Sequence, residues 1–141
     1  MKRTFWIMFA ALLMFAPVAL AHGEKGPHGG QMFLVGSHRF EMVVRASDFA
    51  IYVMDMRRRV LPLKGVTGST KIHNDKTTNN VPLAVEGDHL VGNLDLKKFG
   101  EADVDAKITV DGKEATIAFE YPPDFVEAPA GHDQSAGRDH K

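Results

Sequence analysis

From residue 31 to residue 121, apolar and polar positions alternate in short runs broken by turn residues, a pattern that predicts an antiparallel β domain. Met32 to Val35 makes a first apolar strand, stopped by Gly36-Ser37. His38 to Arg45 sets Phe40, Met42 and Val44 on one face and Arg39, Glu41 and Arg45 on the other, as in a half-buried strand of period two. Phe49 to Met54 is apolar on both faces, which places it centrally in a sheet. Asp55 to Arg59 reads as a charged turn. Val60 to Leu63 reads as an edge segment, because Pro62 has no N–H to give to a ladder.

Ser69 to His73 and Val81 to Val85 are separated by a turn at Asn74-Asp75, and Glu86-Gly87-Asp88 turns the chain into His89 to Leu94. Asp95 can cap a single helical turn whose Leu96 and Phe99 close one end of the core. The clearest hairpin is the last. Val104, Ala106, Ile108 and Val110 alternate up to Asp111-Gly112, and Ala115, Ile117 and Phe119 alternate after it; both turn residues tolerate positive φ. The expected fold class is therefore all-β: a small antiparallel β-sandwich or barrel, Ig-like, of about seven or eight strands.

The flanks read differently. Met1-Lys2-Arg3 is basic, Phe5 to Leu20 is uncharged and apolar, and Ala19-Leu20-Ala21 offers an Ala-x-Ala cleavage site, so residues 1–21 are expected to be a secretory signal peptide. Residues 22–30 form a His/Gly-rich leader, 31–122 the β domain, and 123–141 a disordered tail poor in apolar residues. The expected location is the periplasm, with no stable membrane anchor after cleavage.

Charge and cysteine content narrow the function classes. Loss of Met1 to Ala21 leaves 120 of the 141 residues, with 15 basic against 18 acidic, so nothing favours nucleic acid as a partner. Cysteine is absent, which removes disulfides, thiolate metal sites and thiol catalysis. No Gly-x-Ser-x-Gly elbow, His-Glu-x-x-His pair or phosphate-cradling glycine loop is present, and the chain is read as a non-enzyme.

The readable chemistry lies in the leader. Cleavage after Ala21 would make His22 the first residue, with an α-amine and an imidazole able to close a chelate ring on one ion. Both nitrogens are deprotonated by a metal at modest cost near neutral pH. His28 follows six residues later in a glycine-rich run that can bring it back towards His22. Imidazole and amine ligands favour divalent copper, with zinc, nickel and cobalt as further candidates. Met54 and Met56, two residues apart at a strand end, are candidate thioether ligands for monovalent copper, against the commoner role of methionine as core filler. Met32 and Met42 would lie near them if their strands pair. His38, His73 and His89 are each expected to be isolated surface residues, and His132 and His140 belong to the tail.

His28-Gly29-Gly30, Phe40 to Val44, Ile51 to Asp55, His89 to Gly92 and Ala118 to Pro122, taken in order, resemble the small β domain near the amino terminus of periplasmic adaptor subunits in heavy-metal efflux pumps of the resistance-nodulation-division class. The resemblance covers about Pro27 to Pro122. It implies a periplasmic β-sandwich or barrel engaged in copper, zinc, cobalt or nickel handling, and it carries over to His28 and, among the methionines, to Met42 or Met54. The adaptor's helical hairpin, lipoyl-like and membrane-proximal parts have no counterpart here, so the expectation is a freestanding metal carrier or sensor associated with an efflux complex. The alternative is a metal-free interaction module that docks on an efflux or envelope complex through a sheet edge.

Overall fold

The alternation of the sequence becomes nine strands: β1 (Glu24–Lys25), β2 (Gln31–Val35), β3 (His38–Val44), β4 (Phe49–Met54), β5 (Thr67–His73), β6 (Thr78–Glu86), β7 (His89–Gly92), β8 (Ala102–Val110) and β9 (Lys113–Tyr121). The computed structural model describes residues 23–124; the expected signal peptide, His22 and most of the expected tail lie outside the described residues. Every strand pairing is antiparallel, in the order β1-β2-β3-β4-β7-β6-β5-β8-β9. The all-β antiparallel expectation holds, and the sheet curls into a half-barrel. Its two ends approach each other: the Glu120 N–H of β9 donates to the Gln31 side chain of β2 at 2.9 Å, and Phe33 packs edge-on to Phe119 with ring centroids 5.6 Å apart.

The inner face carries the core. Phe40 and Met42 from β3, Phe49, Ile51 and Val53 from β4, Ile72 from β5, Leu90 from β7, Val104, Ala106 and Ile108 from β8, and Ile117 and Phe119 from β9 are buried in one cluster. Each fully buried Leu, Ile, Val or Phe side chain contributes about 1.5 to 3 kcal/mol by leaving water. The Asp111-Gly112 turn has φ of 51° and 75°, as a two-residue hairpin turn with both residues at positive φ requires. Asp95 caps the 3-10 turn Leu96–Phe99 through a 3.0 Å bond from the Lys97 N–H, and Leu96 is buried, as the sequence predicts.

A corner forms where β6 changes partners. Thr78 to Leu83 pairs with β5 and Leu83 to Glu86 with β7, so Pro82 sits where β6 is bonded on one side only, a place that spares a residue without an N–H. Gly92, opposite Leu83, lies under the Phe49 ring, where a Cβ would be 2.1 Å from ring carbon.

Two local expectations change. Val60 to Leu63 is no edge strand: Val60 makes a single bridge to Met54, the Leu61 N–H bonds the Val53 carbonyl at 2.9 Å, and Leu63 turns into the core. Burial of Leu63 outweighs strand geometry around Pro62. The leader, expected to be separate from the β domain, is laid onto the sheet from Gly23 onward, with Glu24 and Lys25 opposite Met32 and Gln31. Among the described residues no helix is long and apolar enough to cross a membrane.

Candidate functional site

Period two on β3 turns Glu41 away from the core, onto the outer face of the sheet, with Met32 of β2 and Tyr52 of β4 directly opposite. A polar side chain there would ordinarily be solvated, and the sequence reading set Glu41 on the half-buried strand's polar face. The face is as expected, but the solvation is not: Glu41 is 0% exposed, because residues 26–30 cross over it.

Glycine permits the crossing. A Cβ on Gly26 would lie 2.3 Å from the Glu41 carboxylate, and one on Gly30 would lie 2.1 Å from the Met42 carbonyl oxygen. The loop closes on itself through the Gly26 N–H to the Gly30 carbonyl at 2.8 Å. It then hands three donors to the carboxylate: the N–H groups of His28 and Gly30 reach Oε1 at 2.8 and 2.9 Å, and His28 Nδ1 stands 2.6 Å from Oε2. Removing a carboxylate from water costs several kcal/mol, and these donors replace its hydration.

The His28 ring is held on a second side by Tyr52, stacked at a centroid distance of 3.7 Å and an interplanar angle of 6°. Donation of Nδ1–H to Glu41 leaves the lone pair of the neutral ring on Nε2, which makes no hydrogen bond among the described residues. The imidazole is one-third exposed. The arrangement is a fixed imidazole that offers one nitrogen outward.

Tyr52 also meets His89 of β7, with centroids 5.2 Å apart. Both nitrogens of His89 are engaged, Nδ1 at 2.9 Å from Asp88 Oδ1 and Nε2 at 3.4 Å from Arg45 Nη1. The hydrogen bond from His89 pulls the Asp88 carboxyl below its ordinary range against some desolvation, with the charges of His89 and His28 adding to it. Arg45 is itself clamped by Asp48 through bonds of 2.6 and 2.8 Å, which raise its guanidinium pKa further.

Of the residues singled out from sequence, His22 lies outside the described residues and His28 is the centre of this cluster. Met54 lies on the outer face of β4, fully buried and opposite Arg39, whereas Met56 is 52% exposed in the turn beyond. The two thioethers thus occupy different environments. Met32 shares the outer face with Met54, while Met42 faces the core. Among the described residues no three His, Asp or Glu side chains are grouped to hold a metal ion.

Glu41 and Tyr52 were not singled out from sequence, and His89, expected to be an isolated surface residue, is 16% exposed and packed against Tyr52. The available signal was a carboxylate and a tyrosine on the non-core faces of two consecutive expected strands. It became specific only once the loop was in place. No protein-family model matches the chain, and comparison with curated proteins and with solved structures gave no match either.

Proposed function

We propose that the protein is a periplasmic carrier of a divalent transition metal ion, copper favoured, with Nε2 of His28 as its fixed ligand. The observation that carries the reading is the buried Glu41 carboxylate on His28 Nδ1, 2.6 Å away. Histidines that ligate metals almost always give their other N–H to a carboxylate or carbonyl, which sets the tautomer and raises ligand basicity. His22 is the proposed second ligand, with its imidazole and, after cleavage behind Ala21, its amine. It joins the described chain at Gly23, one residue before β1. Met56, being exposed, is the thioether open to a monovalent ion; Met54 would have to be uncovered first. An efflux complex is the proposed destination, in line with the resemblance of His28-Gly29-Gly30 and the β strands to efflux adaptor domains.

Copper titration of the exported protein tests this. Binding to the native state should raise its melting temperature, and His28→Ala should abolish the rise. A rise that His28→Ala leaves unchanged would refute the site.

A second reading, a docking module, is favoured by the free edge of β9. The Glu120 N–H points away from β8 towards Gln31, so by alternation the N–H groups of Glu114, Thr116 and Ala118 point the same way, with no further strand beside them among the described residues. Partner capture that persists in chelator, by a protein that binds no metal, would select this reading.

A further inference from the structure

On the outer face, next to the row that holds Glu41, two guanidiniums converge on one carboxylate oxygen. Arg39 of β3 stands opposite Leu34 and Met54, with a side chain 18% exposed and an Nε that is buried without a hydrogen-bond partner. Arg58 comes from the turn after β4, where its φ of 64° is a left-handed conformation that disfavours a non-glycine residue. Arg39 Nη1 lies 3.5 Å and Arg58 Nη2 lies 3.2 Å from Glu24 Oε2. Asp55, the acid of that turn, is already taken by Arg59 at 2.7 Å and by the N–H groups of Arg57 and Arg59.

Glu24 fills this space poorly. Charge-assisted guanidinium bonds run at about 2.7 to 2.9 Å and favour two parallel contacts per guanidinium. Here one oxygen is shared between two guanidiniums at longer range, and the Arg39 Nε–H has no acceptor among the described residues. A planar carboxylate with two oxygens cannot present a pair to each of two guanidinium planes. A tetrahedral oxyanion with four oxygens can, with the Arg39 Nε–H as one member of its pair.

We propose that Arg39 and Arg58 form a binding site for a phosphate-class oxyanion, with the Glu24 carboxylate as its internal occupant. Glu24 is the more exposed partner, its side chain 61% open, so an incoming anion displaces it without uncovering core. The phosphoryl group has two sources, free phosphate or the phosphomonoester headgroup of a phosphatidic acid, whose terminal oxygens are not limited to two. Leu34 and Met56, 48% and 52% exposed on the same strand end and turn, sit where a lipid surface would be met.

The test follows the Arg39 Nε–H resonance by NMR in the full-length exported protein as inorganic phosphate is added. In parallel, the protein is sedimented with vesicles containing phosphatidic acid and with phosphatidylcholine vesicles. Two variants accompany it: Glu24→Gln, which removes the internal competitor's charge, and Arg58→Gly, which removes one guanidinium while suiting the left-handed backbone. A saturable shift with phosphate, tightened about tenfold in Glu24→Gln and weakened about tenfold in Arg58→Gly, supports a site for the free ion. No shift with phosphate but selective sedimentation with phosphatidic acid vesicles, lost in Arg58→Gly, supports a headgroup site. Absence of both, or binding indifferent to both substitutions, overturns the proposal.

Discussion

His28 Nδ1 lies 2.6 Å from Oε2 of Glu41, a carboxylate with no exposed surface, and this contact joins a loop at the start of the described chain to the middle of β3. The bond determines which imidazole nitrogen faces outward. It also makes the loop and the outer face of the sheet depend on each other for stability.

Glu41→Gln should therefore act on both. The amide keeps the shape but puts an NH2 group opposite His28 Nδ1, so either the ring turns to its Nε2–H tautomer or the Nδ1–H is left without an acceptor, at a cost of about 1 to 3 kcal/mol. Metal affinity should fall by about 10- to 100-fold through loss of the carboxylate behind His28. Urea denaturation and metal titration of the same variant measure the two effects.

Gly26→Ala should loosen the same contact from the loop side. Its Cβ would sit 2.3 Å from the Glu41 carboxylate, which is closed in and cannot move away cheaply. Overpacking of this kind costs about 1 to 3 kcal/mol. Gly65→Ala is the control: its φ of 74° strains any side chain, but nothing lies within 4 Å of the new Cβ and His28 is untouched. Both variants should melt earlier, and only Gly26→Ala should also weaken copper binding.

Acid should destabilise the protein through turn carboxylates. Asp55 is held below its ordinary value of 3.8, mainly by the hydrogen bond from the Arg59 N–H, and Asp88 likewise by His89. For a carboxylate depressed on folding, the stabilisation is complete above the unfolded pKa and is lost as pH falls through the folded one. The melting temperature should hold down to about pH 4 and decline below it. Asp55→Asn should flatten that decline; an unchanged acid limb would show that the turn contributes nothing to it.

Removal of the signal has an optical readout. Trp6 is the only tryptophan and lies in the segment expected to be removed, while Tyr52 and Tyr121 lie in the β domain. Exported protein should emit as tyrosine only, and its intact mass should correspond to a chain starting at His22. Tryptophan emission from the exported form would mean that the segment is retained, and with it the His22 amine would be lost as a ligand.

Much of the sheet was legible because strand periodicity is local. Phe40 and Met42, Ile51 and Val53, and the hairpin around Asp111-Gly112 each declare their inner face within a few residues, and that face is where they are found. Val60 to Leu63 misled for the opposite reason. Its residues are apolar enough for a strand, but its backbone is placed by what Leu63 fills.

The sequence by itself determined most of the strands, the inner face and His28 as a residue of interest. Tertiary structure decided what His28 can do. Alternation records only that Glu41 points away from the core, and an outward glutamate is ordinarily solvated. Whether the outside is water or protein depends on a loop 11 to 13 residues earlier in the chain, whose glycines let backbone N–H groups reach the carboxylate. Such burial arises from a contact between separate segments, and no periodicity within either one encodes it.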